Sequence, residues 1–129
     1  VKASYIEVAI LKTVVGFLNT DGGVELVGVN DEGTIVGIDA EIHQLYKNID
    51  KFLLHLKNMI KEKIGEEFYP YIEYKPIQVD EHRLLIVECG SSESPCYLGH
   101  KEFYVRTNPS TDKLEGPKLV EYIRNHFHQ

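Results

Sequence analysis

The pair Gly22-Gly23 separates two stretches of different hydrophobic period, and few folds accommodate that junction. Before it, Ile6, Ala9, Ile10, Val14 and Phe17 recur at spacings of three and four, which predicts a helix over 4–18 with Ser4 as its N-cap. After it come apolar residues in strand-like order, predicting strands over Val24–Val29 and Thr34–Ile38 joined through Asn30-Asp31-Glu32-Gly33. Asn19-Thr20-Asp21 and the two glycines form the polar turn between helix and sheet. Gly23 and Gly33 are free to take positive φ there. Gly16–Ile38 thus reads as a rigid frame presenting two polar loops: a helix stop, a turn and a hairpin.

The remaining chain adds helices and strands in separate blocks. Residues 39–47 read as a polar, partly irregular link. Residues 48–64 give the clearest helical pattern: Ile49, Phe52, Leu53, Leu56, Met59, Ile60 and Ile64 share one face, and Gly65 stops it. Lys47, Lys51, Lys57 and Lys61 fall side by side opposite that face. Strands are expected over 71–79 and 83–89. Pro76 puts the first at an edge, and apolar residues on both faces put the second at the centre. Short strands follow at 96–98 and 102–106, then a loop over 107–112. A last helix opens at Gly116-Pro117, with Leu119, Val120, Ile123 and Phe127 as its core face. The segregated order predicts an α+β fold with a mainly antiparallel sheet and about three helices.

Length and charge narrow the function classes. With 129 residues the chain reads as one domain over 1–129. No apolar run reaches the ~18–20 residues of a membrane span, and no signal peptide is evident, so a cytoplasmic protein without membrane contact is expected. It begins at Val1 without Met, which predicts a fragment of a longer protein. A net charge of −6 excludes a strongly basic clamp on nucleic acid but leaves room for a local basic patch. Two cysteines, Cys89 and Cys96, fit a reduced protein without a disulfide.

Asn19-Thr20-Asp21-Gly22-Gly23, then Leu26-Val27-Gly28-Val29, Asp31, Gly33 and Ile35-Val36-Gly37, resemble the signature of the Schlafen AlbA-type domain. Lys51–Leu56, Pro95-Cys96-Tyr97 and Glu102–Thr107 with Ser110-Thr111 resemble its later motifs in order. The resemblance implies a DNA-binding or RNA-binding module, often part of a transcriptional regulator. Vertebrate relatives include ribonucleases that use three carboxylates. Here the third is matched by Asp31 or its neighbour Asn30, and the other two belong to an opening strand that would precede Val1. Two positions depart from the pattern: Glu25, usually apolar, and Asn108-Pro109, usually a Gly-Asn-like pair.

Candidate sites follow from these readings. The Asn19–Gly23 turn ends a helix, where partial negative charge disfavours phosphate, so Asn19, Asp21, Gly22, Gly23, Gly28, Gly33 and Gly37 read as architecture. Arg106, Thr107, Asn108, Ser110 and Thr111 supply donors suited to phosphate oxygens, or else satisfy their own loop; Arg106 has the further option of a carboxylate inside the fold. His100 and Lys101 mark a basic turn tip, and Lys51, Lys57 and Lys61 are either a solvated helix face or a strip that tracks a phosphate backbone. Tyr69, Tyr71, Tyr74, Tyr97 and Tyr104 read as strand packing before base stacking. His126 and His128 have no zinc spacing with the cysteines. No metal site or cofactor is expected; Mg²⁺ or Mn²⁺ enters only in a ribonuclease reading centred on Asp31, where Glu32, Asp39 and Glu41 lie nearby. A third reading is a homodimeric scaffold pairing through an exposed strand edge.

Overall fold

The computed structural model describes the backbone of residues 2–127 and the side chains of residues 7–127 except Leu45. The sequence-based roles of Ile6 and His128 lie outside the described residues, as does the side chain of Ser4. The elements, in order, are α1 (Lys2–Leu18), β1 (Gly23–Val27), α2 (Asp39–Tyr46), α3 (Ile49–Lys63), a 3-10 segment (Glu66–Tyr71), β2 (Ile72–Val79), β3 (His82–Cys89), β4 (Phe103–Arg106), β5 (Thr111–Leu114) and α4 (Gly116–His126). The class is α+β with antiparallel sheets, as the segregated pattern predicts, but the described residues form four α-helices and the 3-10 segment where about three helices were expected. Among the described residues no helix is long and apolar enough to cross a membrane.

Helix α1 is the centre of the core. Ile10, Leu11, Val14, Val15, Phe17 and Leu18 are buried, each contributing roughly 1.5–3 kcal/mol of transfer free energy. Except Phe17, they share one apolar cluster with Phe52, Leu56 and Ile60 of α3, Ile64 just past it, Leu85 and Val87 of β3, and Tyr104 of β4. Helix α1 runs through Ser4, so Ser4 is not its N-cap. Asn48 caps α3 by accepting the Lys51 N–H at 2.9 Å, and the Gly65 N–H returns to the Ile60 carbonyl at 2.8 Å.

The three-stranded sheet has the order β1-β3-β2. The apolar strand β3 is central, and Pro76 lies on the edge strand β2, opposite Leu85. The expected hairpin over 24–38 is not a two-stranded unit. Strand β1 pairs with β3 from Gly23↔Cys89 to Val27↔Leu85, and the 34–38 arm makes a single bridge, Val29↔Ile35. The reason is Gly28. Its φ of 114° turns the chain out of the strand, and its carbonyl accepts both the Val36 and Gly37 N–H groups at 2.8 and 2.9 Å. Segment 28–38 is therefore a compact loop, anchored where the Ile38 N–H meets the Arg83 carbonyl at 2.9 Å.

Four further expectations need correction. The link over 39–47 is helix α2, with Ile42 buried against the core. Thr111–Leu114 forms strand β5, so the polar loop spans only 107–110, and the stretch 96–98 contributes one bridge, Leu98↔Glu102. Helix α4 buries no residue completely. Val120 is 56% exposed, and Leu119, Ile123 and Phe127 are half-buried. Its anchor is Tyr122, whose ring packs edge-on against Phe103 and whose hydroxyl donates to the Asn19 carbonyl.

Candidate nucleic-acid interface

The end of α1 is fixed by one buried side chain. Asn19 Nδ2 donates to the carbonyls of Cys96 at 2.8 Å and Tyr104 at 2.9 Å, and its Oδ1 accepts the Cys96 N–H at 2.9 Å. Thr20 Oγ1 donates to the Gly16 carbonyl at 2.7 Å and accepts the Arg106 N–H at 2.9 Å. Gly22 follows at φ 78°, its absent Cβ leaving room for the Cys89 carbonyl, which would lie 2.5 Å from it. Asn19, Thr20 and Gly22-Gly23 thus join α1 to β1, β3 and β4 by packing and backbone hydrogen bonds. Asp21 is exposed beside them.

Arg106 closes β4 and lies against this turn. Its Nη1 donates to Thr111 Oγ1 at 2.9 Å, and its guanidinium carbon sits 5.3 Å from the centre of the Phe17 ring. Its Nε is buried with no hydrogen-bond partner among the described residues, and so is Oε1 of Glu25. Glu25 faces the core side of β1 opposite Val87. Burial pushes its carboxyl up to about 7, and the Arg106 charge offsets part of that rise. A carboxylate thus faces Arg106 inside the fold, the option its sequence position left open.

The polar loop beyond Arg106 satisfies much of itself. The Thr107 N–H donates to the Ser110 carbonyl at 2.9 Å, and Thr107 Oγ1 donates to Asp112 Oδ2. Ser110 Oγ lies 3.4 Å from both carboxylate oxygens of Asp112. Asn108 takes φ 30°, and residues 107–110 are exposed. The structure therefore brings Arg106, Thr107, Ser110 and Thr111 together, with Asp112 among them as an acid that opposes phosphate.

The lysines stand apart from that loop. Lys51, Lys57 and Lys61 are exposed on α3, and Lys47, also exposed, precedes it at φ 72°. Lys57 Nζ lies 5.9 Å from the centre of the Tyr69 ring. The turn carrying His100 and Lys101 docks at the end of α3, where the Gly99 N–H meets the Lys63 carbonyl at 2.7 Å. Lys101 sits before β4 and Arg106 at its far end, about 16 Å apart along an extended strand. Lys51, Lys57, Lys61 and Lys101 make no ion pair among the described residues.

Asp31 is exposed at the tip of the 28–38 loop. Its neighbour Asn30 shapes that tip by accepting the Glu32 and Thr34 N–H groups at 3.0 and 2.9 Å. Gly33 and Gly37 complete the loop with φ of 84° and 78°. Among the described residues no three His, Cys, Asp or Glu side chains stand close enough to hold a metal ion, so Asp31 with Glu32, Asp39 and Glu41 does not fit a divalent-metal centre. Cys89 and Cys96 are both free thiols, pushed up to about 12 by burial, then by Glu25 for Cys89 and by Glu67 for Cys96.

One polar cluster lay unmarked in the sequence. Buried Glu7 of α1 accepts the Tyr46 hydroxyl from α2 and lies 2.7 Å from His55 Nε2 of α3. Glu7 shares the helical stripe of Ile10, Leu11 and Val14, which was the available signal that it faces inward.

A comparison with curated proteins finds no match. Among solved structures, the DIP2311 protein from Corynebacterium diphtheriae is similar, with a TM-score of 0.65 and 19% identity over 96% of this chain. This chain spans 22% of the length of that protein, and the likeness shows the fold. The family profile described as Schlafen, AlbA_2 matches residues 1–115, the span from α1 through the Asn19 turn, the Asp31 loop and the β4–β5 pair. The chain belongs to the Schlafen AlbA_2 family.

Proposed function

We propose that residues 1–129 act as one nucleic-acid-binding module that grips the phosphate backbone of DNA or RNA, as part of a transcriptional regulator. The observation that carries this reading is the set of exposed lysines. Lys51, Lys57 and Lys61 on α3, and Lys101 on the turn docked at its end, are unneutralised by acids among the described residues. The family's association with nucleic acid supports it. The Arg106 loop is a second contact point, with Asn108 and Ser110 exposed and Arg106 holding its base against Thr111 and Phe17.

Fluorescence anisotropy with duplex DNA and a hairpin RNA tests it. Each phosphate contact gives about 0.9 of log–log salt slope on duplex DNA, so replacing Lys51, Lys57 and Lys61 by Ala lowers the slope by up to about 3. Arg106→Ala weakens binding without changing the lysine share of the slope. Absence of binding at low salt overturns the reading.

A second reading, a homodimer, is favoured by the free edge of β1 and by Val24 and Leu26, 55% and 46% exposed beside it. Sedimentation at high protein concentration will show self-association that Leu26→Lys abolishes. A monomer throughout removes the dimer.

A further inference from the structure

We propose that the cavity between the end of β1, its following loop and α2 binds a small amine with an apolar body. The cavity has a volume of about 210 Å³. Val27, Val29, Val36, Ile38, Ile42 and Phe52 form apolar walls among the described residues. A buried apolar cavity of about 150 Å³ in another protein takes up benzene, so this one has space for a ring with a short arm. The site is built before any ligand arrives. The loop wall is held by the Gly28 carbonyl, which binds two N–H groups, and by the Ile38 N–H on Arg83. Tyr46, a further wall, is held through its hydroxyl by Glu7, which His55 also holds.

The charge of the ligand follows from Glu41. It is the one Asp, Glu, Lys or Arg among the described lining residues. It is half-buried and makes no hydrogen bond or ion pair among them. No lysine or arginine is among the described lining residues, which disfavours a phosphate and separates this site from the basic surface of α3. An apolar body in the cavity with an ammonium on the Glu41 carboxylate satisfies both features: burial supplies affinity and one polar contact fixes orientation. A net charge of −6 also favours approach of a cation.

The test uses the full chain, with benzylamine and benzyl alcohol as probes of equal shape, followed by amide chemical shifts. Benzylamine is expected to shift the amides of Val27, Val29, Gly37, Ile38 and Ile42 saturably. It should bind up to about fivefold more tightly than benzyl alcohol, the upper end for a partly exposed charge pair. Glu41→Gln, a near-isosteric change at a half-buried position of α2, should equalise the two probes. Val36→Trp, at an exposed rim position, should block both. Absent or scattered shifts, equal affinity of both probes for the wild type, or a preference that survives Glu41→Gln would each overturn the proposal.

Discussion

Asn19 and Glu25 are opposite cases of a polar side chain inside the fold. Asn19 is fully buried, and its amide makes three hydrogen bonds to backbone groups of Cys96 and Tyr104. Asn19→Ala leaves those groups without partners at a cost of about 1–3 kcal/mol each, so a loss of at least about 3 kcal/mol is expected by urea unfolding. Glu25 has a buried oxygen with no donor among the described residues, and its carboxyl rises from 4.5 to about 7. Below pH 4.5 it is protonated in the folded and the unfolded chain alike, and stability is unaffected. Between 4.5 and about 7 the unfolded chain releases its proton first, so stability falls as pH rises. The full penalty applies above pH 7, about 1–3 kcal/mol once contact with solvent is allowed for. Unfolding at pH 5 and pH 8 will show this fall in the wild type, and Glu25→Gln will flatten it.

At the scale of elements, β1 ends and α4 attaches through single residues. Gly28 has φ 114°, and a Cβ there would lie 2.7 Å from Leu84 Cδ2. Gly28→Ala should therefore cost about 1–3 kcal/mol and loosen the 28–38 loop, measurable by thermal unfolding and by amide exchange of Val36 and Gly37. Tyr122→Phe removes the bond to the Asn19 carbonyl, costs about 1 kcal/mol, and should expose α4 to protease while the sheet stays intact. Elements with a strong apolar period were legible in the sequence: α1, α3 and the central β3. Helix α2 was not: Ile42, Leu45 and Tyr46 stand at helical spacing, but eight residues hold little more than two turns of that period. Strand β5 was not, because Thr111-Asp112-Lys113-Leu114 is held by backbone pairing to β4 and carries no apolar alternation. Arg106 could be picked out as a donor, but its inward lean depends on Phe17 and Thr111. Phe17 is remote in the chain, and no local pattern encodes that contact.

For the whole molecule, the basic surface and the Arg106 loop stand at different ends. His55 of α3 meets α1 at Glu7, whereas Arg106 meets it at Phe17, ten residues on and so about 15 Å along the helix. A ligand touching both must be extended, as a nucleic-acid strand is. The core between them is a reporter of global stability. Cys96 is fully buried with its thiol pushed up to about 12, so alkylation at neutral pH requires opening of the fold. Labelling of Cys96 should therefore track unfolding by denaturant, and Asn19→Ala should accelerate it in proportion to the stability lost.

The Asn19 bonds span 77 and 85 residues of chain, joining the first helix to strands formed near the end. Loops of that length close late, because their entropy is lost before local contacts can repay it. The turn that ends α1 should thus form only when the whole chain folds, not as a local nucleus. Amides of Cys96 and Arg106 should exchange with solvent only when the whole chain opens, giving a slow-exchanging set contiguous in space and scattered in sequence.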